Sequence, residues 1–169
     1  MPVARSCHTA TVVDGKIYVV GGHEEDPEDE DPEVATDRVD VYDPAADSWQ
    51  QLATMPTVKH SHAAAVVDGK IYVVGGGLPG SELFSDALEA YDPVADTWTT
   101  LASLSPSRAY HAAAVVDGKL CVFGGYTTET IKTSNCFSNL VEVYSPASNS
   151  WARAADLPSA GGDIVAVAL

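Results

Sequence analysis

The amino-acid sequence predicts an all-β protein assembled from repeated four-stranded antiparallel units. Three nearly identical segments, each opening with a histidine and closing with a glycine pair, recur at a period of roughly fifty residues. Such a period indicates a repeat architecture in which each copy forms one supersecondary unit. No segment shows the apolar spacing of an amphipathic helix over a useful length. The three segments are His8–Gly22, His62–Gly76 and His111–Gly125.

Each repeat contains four short β-rich runs separated by turn residues. The first two runs are joined by Asp-Gly, a strong hairpin signal, as between Ala63–Val67 and Lys70–Val74. The last two are joined by a turn that contains proline together with Asp, Asn or Ser. Four antiparallel strands repeated at about fifty residues are typical of a propeller blade. The segments around the last turn are Tyr42–Trp49, Tyr91–Trp98 and Tyr144–Trp151.

In the order and spacing of these residues, the chain resembles a kelch-repeat protein over nearly its whole length. The resemblance rests on a glycine pair, a tyrosine and a tryptophan in every repeat. It implies a kelch-type β-propeller with three blades, at residues 5–55, 56–104 and 105–157, and residues 158–169 as the innermost strand of a further blade. The residues are Gly21, Gly22, Tyr42 and Trp49; Gly75, Gly76, Tyr91 and Trp98; Gly124, Gly125, Tyr144 and Trp151.

These repeated residues are predicted to be structural. A glycine pair at the end of a strand permits positive φ and a close approach of neighbouring backbone. The tyrosine and tryptophan rings are expected between adjacent blades, where each supplies buried area and a polar group that needs a partner.

Three blades do not close a ring, since propellers have typically four to eight blades. The strand predicted at Ile164–Leu169 would be left with unpaired backbone groups. We therefore expect completion by a second copy, by further blades in a longer chain, or by a different subunit of a large assembly.

Partner binding is predicted on the face that carries the connections between second and third strands. The spacing from the second glycine to the tyrosine is 20, 15 and 19 residues, whereas each tryptophan precedes the next histidine by 13. Variable loops on a fixed scaffold usually carry binding. The loops are His23–Asp37, Gly77–Asp86 and Tyr126–Ser138.

The first of these loops is densely acidic. Such a segment is either a flexible solvated insertion or a docking strip for a basic segment or a loosely held cation. The net charge of the chain is -15, which makes nucleic acid an unexpected partner because phosphate binding needs a basic surface. The acidic residues are Glu24, Glu25, Asp26, Glu28, Asp29, Glu30, Asp31 and Glu33.

Three cations, Arg5, Lys59 and Arg108, each precede a repeat's histidine by three residues. The resemblance implies that they line the mouth of the central channel, where paired hydrogen bonds would hold an acidic peptide. Lys59 would act there as a point charge. The other interpretation makes them structural cations that tie blades together or solvate the rim. The neighbouring residues Ser6, Ser61 and Tyr110 are predicted polar contacts of the same rim.

The sequence favours a non-catalytic interaction module or scaffold. It contains no glycine-rich phosphate loop, no paired Cys/His metal spacing and no convincing nucleophile with a base, so neither metal nor cofactor is predicted. The repeated histidines are expected to pack rather than to share a metal. Two alternatives stay open: a structural subunit completed by another chain, and a kelch-type enzyme whose site is assembled across blades.

The cysteines indicate a reducing compartment. The chain has an odd number of cysteines without paired spacing, namely Cys7, Cys121 and Cys136. Its first ten residues lack the apolar core of a signal peptide. No apolar run approaches the roughly 20 residues of a membrane span. We expect a cytoplasmic or nuclear protein that is not secreted and has no membrane partner.

Overall fold

The computed structural model describes residues 1–25, 33–127, 137–164 and 166 of the chain. Every regular element in this part of the chain is a β-strand. In chain order they are β1 (Arg5–Ser6), β2 (Thr9–Val13), β3 (Lys16–Val20), β4 (His23–Glu25), β5 (Glu33–Ala35), β6 (Val39–Asp43), β7 (Ser48–Gln51), β8 (Ala63–Val67), β9 (Lys70–Val74), β10 (Leu88–Asp92), β11 (Thr97–Thr100), β12 (Arg108–Ala109), β13 (Ala112–Val116), β14 (Lys119–Phe123), β15 (Tyr126–Thr127), β16 (Val141–Ser145) and β17 (Ser150–Arg153).

The strands form three four-stranded antiparallel sheets, one per repeat, and the predicted fold class is confirmed. Blade 1 has the order β2-β3-β6-β7, blade 2 the order β8-β9-β10-β11, and blade 3 the order β13-β14-β16-β17. The strand β2 contacts β8, which contacts β13, so the first strands of the blades face one another. They therefore line the central channel. The blade ranges proposed from the sequence remain predictions at their exact limits.

The Asp-Gly dipeptides form the tight hairpins at the start of each blade. In blade 2, φ is 49° at Asp68 and 74° at Gly69. Two successive positive φ values in a two-residue loop define a type I′ turn, whose twist matches that of the flanking strands. The same geometry occurs at Asp14-Gly15 and Asp117-Gly118.

The hydrophobic core lies between neighbouring blades. One cluster joins blades 1 and 2, with Val20 and Tyr91 almost fully buried, and another joins blades 2 and 3, with Leu88 and Leu120 fully buried. Burial of a side chain of this size contributes about 1.5–3 kcal/mol. Each blade is thus stabilised chiefly by the blade beside it.

Short pairings connect the start of each blade to its second-to-third-strand loop. β1 pairs with β4, which pairs with β5, and β12 pairs with β15. In blade 2, single bridges from Gly77 to His60 and Phe84 replace these strands. The loops and the blade entries therefore share one face of the propeller, which we call the loop face.

The strand predicted at 158–169 is not seen in the described part of that segment. Residues 158–164 and 166 form no strand, and residues 165 and 167–169 lie outside the described residues. Gly161 nevertheless accepts a hydrogen bond from Gly125 N at 2.7 Å, as Lys59 O does from Gly22 N and Arg108 O from Gly76 N. The segment thus contacts blade 3 as a following blade would.

Candidate partner-binding face

The three cations predicted at the channel rim are buried inside the blades. Each side chain is 0% exposed and forms an ion pair with a carboxylate of the third strand of the same blade. The distance is 2.5 Å from Arg5 Nη2 to Asp40 Oδ2 and 2.7 Å from Lys59 Nζ to Glu89 Oε2. The third pair is Arg108 with Glu142.

Burial dominates the electrostatics of these pairs. It lowers the pKa of Lys59, against the opposing attraction of Glu89, and it raises the pKa of Glu142, against that of Arg108. Buried charges persist only when they are paired and hydrogen-bonded. Accordingly, the Arg108 guanidinium also donates to the backbone oxygens of Gly124 and Leu140.

The placement of these charges at the surface was wrong. The cationic groups anchor the entry of each blade to its own third strand, because the carboxylate there lies within ion-pairing distance. The interpretation as structural cations fits this geometry, with the difference that the side-chain contacts lie within one blade. The contact with the preceding blade is made by backbone, since Lys59 O and Arg108 O accept hydrogen bonds from Gly22 N and Gly76 N.

The rim of the channel is formed by one residue at the entry of each blade. Two of these residues, Ser61 and Tyr110, were predicted, and in blade 1 the rim residue is Cys7, which follows the predicted Ser6. Cys7, Ser61, Tyr110 and Asp163 all have φ between 51° and 55°. Each of the last three donates its N–H to the oxygen of the one before it, at 2.9, 3.0 and 2.9 Å. The sequence analysis did not name Cys7 and Asp163 as rim residues. The repeat shows their position, because Cys7 directly precedes His8 and Asp163 directly precedes Ile164.

A concavity of about 250 Å³ opens at this rim and includes the repeated histidines. His62 and His111 are buried, and burial lowers the pKa of His111 to about 3, with a further contribution from the charge of Arg108. The pKa of His62 is also well below its ordinary value, mainly through burial. The imidazoles are therefore neutral near pH 7. Among the described residues, no three metal-ligating side chains are grouped closely enough to hold a metal ion.

The glycine pairs make room for these histidines. A Cβ on Gly75 would lie 2.6 Å from Cε1 of His111 in the next blade, and a Cβ on Gly76 would lie 2.9 Å from Cβ of His62 in its own blade. Their φ values are 62° and 108°. Gly21 and Gly22 pack in the same manner.

The repeated aromatic residues join consecutive blades. Trp98 Nε1 of blade 2 donates to Ala53 O of blade 1 at 2.9 Å, and Ala53 N donates to Asp96 Oδ1 at 2.9 Å. Asp96 also accepts from Tyr91 O–H, whose ring lies 5.1 Å from that of Trp98. Blade 3 repeats these contacts with Trp151, Ala102, Asn149 and Tyr144.

Exposed apolar side chains lie on the loop face in all three blades. Val34 is 50% exposed, Leu83 56% and Phe137 40%. Phe137 packs against Tyr126 with tilted rings whose centroids lie 4.7 Å apart, and Tyr126 contacts Tyr110 edge to face at 5.4 Å. These three rings form an aromatic cluster beside the channel mouth.

Acidic side chains lie on the same face as these apolar groups. Glu82, Asp86 and Asp163 are exposed on the loop face, and Glu24 is half-buried and accepts from Thr36 O–H at 3.1 Å. In the backbone register of β4 and β5, the two ends of the acidic loop face each other at this surface. The predicted members Asp26, Glu28, Asp29, Glu30 and Asp31 lie outside the described residues, as does Cys136.

Two family models match the chain, and each covers more than half of it. The KLHDC2/KLHL20/DRC7 Kelch-repeats domain matches residues 1–107, and the Attractin/LZTR1 beta-propeller matches residues 57–164. Together with the three sheets and their glycine, tyrosine and tryptophan positions, these matches establish the class. The chain belongs to the kelch-repeat β-propeller family.

Several relatives are similar to parts of the chain. Kelch repeat and BTB domain-containing protein 12 of Homo sapiens is 37% identical over 78 residues, which are 45% of this chain and 12% of that protein. Kelch-like protein terF of Aspergillus terreus is 46% identical over 78 residues, 45% of this chain and 17% of that protein. The matched part thus spans less than a fifth of either relative.

The fold is similar to that of a solved structure, YjhT. The TM-score is 0.77 at 22% sequence identity, and the match covers 94% of this chain and 54% of YjhT. At this level of identity the likeness concerns the fold alone. In the described residues, no helix is long and apolar enough to cross a bilayer.

Proposed function

We propose that the protein is a non-catalytic interaction module that binds a basic segment of another protein through its loop face. The observation that carries this proposal is the burial of the three cations with their carboxylates. Because Arg5, Lys59 and Arg108 are buried in ion pairs inside the blades, their cationic groups are not presented on the face. The favoured partner is therefore basic rather than acidic.

Charge complementarity supports this choice of partner. Glu82, Asp86 and Asp163 are exposed on the loop face, and the sequence of the first loop holds eight acidic residues between positions 24 and 33. Complementary charge mainly accelerates encounter and rejects wrong partners, and its effect falls with added salt.

The apolar groups on the same face would supply the affinity. Aromatic side chains at the centre of an interface commonly carry much of the binding energy. The cluster of Tyr110, Tyr126 and Phe137 lies beside the channel mouth, with Leu83 exposed on the loop of the neighbouring blade. A basic segment with one apolar side chain fits this combination.

The experiment uses a lysine- and arginine-rich peptide that contains one phenylalanine, and a glutamate-rich counterpart. The variant Glu82→Gln/Asp86→Asn removes two charges from the loop face. Its matched control, Asp68→Asn/Asp117→Asn, removes two charges from the turns of the opposite face, where asparagine tolerates the positive φ. Calorimetry should give weaker binding of the basic peptide for the first variant and unchanged binding for the second. Equal binding by all three proteins, or stronger binding of the acidic peptide, would overturn the proposal.

The proposal includes completion of the propeller by further blades, from a second copy, a longer chain or another subunit. It also places the protein in the cytoplasm or nucleus, and the free thiols of Cys7 and Cys121 in the described part of the chain are consistent with a reducing compartment.

A further inference from the structure

The concavity at the channel rim combines an aromatic ring, a carboxylate and a buried imidazole. Its volume is about 250 Å³, and its lining includes Tyr110, His111 and Asp163. The side chain of Tyr110 is 36% exposed and Asp163 is exposed, whereas His111 is only 6% exposed. Three groups that attract a hydrogen-bond donor or a cation therefore line one small surface depression.

The imidazole of His111 has hydrogen-bonding capacity that the described chain does not use. Both of its ring nitrogens are buried without a hydrogen-bond partner among the described residues. In blade 2, the equivalent His62 is hydrogen-bonded through Nε2 to Thr9 Oγ1 of blade 1 at 3.0 Å. Blade 2 has Ala63 at the position of Thr9, so it offers His111 no hydroxyl. Because a buried polar group is costly unless it is hydrogen-bonded, His111 indicates a ligand in the concavity.

Tyr110 and Asp163 are held side by side on the rim. Asp163 N donates to Tyr110 O at 2.9 Å. The ring of Tyr126 contacts that of Tyr110 edge to face, with 5.4 Å between centroids. Gly162 packs directly on the rings behind, since a Cβ there would lie 2.6 Å from Cδ1 of Phe137 and 2.9 Å from Cε2 of Tyr126. Backbone bonding and aromatic packing thus fix the positions of the ring and the carboxylate.

The charges around the concavity favour a cation. Burial lowers the pKa of His111 to about 3 and also lowers the pKa of His8 and His62, so the imidazoles of the lining are neutral near pH 7. Asp163 is then the charged side chain among the described lining residues. A neutral imidazole keeps one nitrogen that accepts a hydrogen bond. A cation that donates several hydrogen bonds therefore suits the site.

We propose that this concavity binds the guanidinium group of an arginine in the basic partner segment. The guanidinium would stack on Tyr110 and donate to the carboxylate of Asp163 and to a nitrogen of His111. Arginine fits better than lysine, because its planar group has five donors and stacks on aromatic rings, whereas the ammonium group is compact and strongly hydrated. The inference rests on the proposed function for the partner, and it adds the residue that the partner must carry.

The test compares three peptides that differ at one position, which holds arginine, lysine or citrulline in a lysine-rich segment with one phenylalanine. Calorimetry should give a dissociation constant about tenfold lower for the arginine peptide than for the lysine peptide, because the ammonium group loses the stacking contact. Citrulline keeps the planar shape without the charge and should bind at least as weakly as lysine.

Protein variants locate the arginine. Tyr110→Ser should bring the dissociation constants of the arginine and lysine peptides to within about threefold of each other. Serine suits this backbone, since Ser61 has a φ of 52° at the equivalent position of blade 2. Tyr110→Phe keeps the ring and should keep the preference for arginine. Asp163→Asn should weaken the arginine peptide about tenfold. Its control is Asp117→Asn on the opposite face, with a φ of 50°, which should have no effect.

A small probe separates this inference from the proposed function. N-acetylarginine amide at millimolar concentration should shift the NMR signals of the His111 imidazole and the Tyr110 ring in the wild-type protein, and not in Asp163→Asn. Equal binding of the arginine and lysine peptides, or an arginine preference that survives both Tyr110→Ser and Asp163→Asn, would overturn the arginine site and leave the function standing. If no peptide binds, the proposed function is removed, and the probe decides the site: shifted signals retain it and unchanged signals overturn it.

Discussion

Lys59 and Glu89 form an ion pair inside blade 2, with 2.7 Å between Nζ and Oε2 and at most 1% of either side chain exposed. The Thr57 hydroxyl donates to the other carboxylate oxygen of Glu89 at 2.7 Å. The pair joins the entry of the blade to its third strand. Equivalent pairs in blades 1 and 3 make it a repeated element of the fold.

Removal of one partner of this pair should destabilise the protein strongly. Lys59→Met is expected to lower the free energy of unfolding by about 3 kcal/mol, because it leaves Glu89 buried without a counter-charge. Adding Glu89→Gln should restore part of the loss, since the neutral amide still accepts from Thr57. Denaturant titration measures both changes. Lys70→Met, at the half-exposed pair with Asp92, is the control, and a loss there as large as for Lys59→Met would contradict the argument.

The glycine pair should tolerate no side chain, whereas the hairpin glycine should. Gly69→Ala, with φ at 74° and no atom within 4 Å of the added Cβ, should cost about 1 kcal/mol of stability. Gly75→Ala has φ at 62° and places Cβ 2.5 Å from Arg108 O, so it should cost about 3 kcal/mol or more. Thermal unfolding of the two variants gives the comparison. Similar losses of stability for the two variants would show that the close packing of the next blade against Gly75 does not determine the cost of the substitution.

The free energy of unfolding should decrease as the pH is lowered below the ordinary pKa of histidine. The pKa of His111 is about 3 in the folded protein and 6.5 ordinarily, so between these values the unfolded chain binds more protons than the folded one. The free energy of unfolding therefore decreases as the pH falls from 6.5 towards 3, by up to about 1.4 kcal/mol per pH unit for this residue. His111→Gln should reduce that slope in denaturant titrations at pH 7, 6, 5 and about 4. A slope unchanged by the substitution would assign the dependence to other groups.

The aromatic cluster should contribute to binding independently of charge. Phe137→Ala is expected to weaken the basic peptide about tenfold or more while leaving its salt dependence unchanged, because it removes apolar contact and no charge. Val94→Ala, at a side chain 95% exposed in a turn between third and fourth strands, is the control and should bind normally. Calorimetry at two salt concentrations distinguishes the two contributions. An unchanged affinity for Phe137→Ala would exclude the cluster from the binding surface.

Most of the fold was predictable because its signals are local. Asp68-Gly69 specifies a type I′ hairpin by itself, and Tyr91 and Trp98 occupy opposite positions of neighbouring strands joined by a short turn. Repetition of these signals at a fixed period gives the number of blades without any knowledge of distant contacts. The strand predicted at Ile164–Leu169 stays a prediction, since residues 165 and 167–169 lie outside the described residues.

The candidate site was predicted less well, because it depends on contacts between residues far apart in the chain. The position of Arg108 at the entry of its blade is readable from the repeat. Its partner Glu142 lies 34 residues further on, across a loop whose length differs between repeats. An acidic residue two positions before each repeat tyrosine was the available signal, and it becomes meaningful only when the third strand is placed beside the blade entry.

The sequence alone determined that the chain forms kelch blades, because turn chemistry, glycine pairs and strand periodicity act over a few residues and recur three times. The tertiary structure decided which charges are presented on the loop face. Folding brings Arg5, Lys59 and Arg108 against carboxylates more than 25 residues away and buries both members of each pair. The acidic groups of the loop face stay exposed. A charge is buried only where the fold places a counter-charge beside it, and that depends on its neighbours in space rather than in sequence.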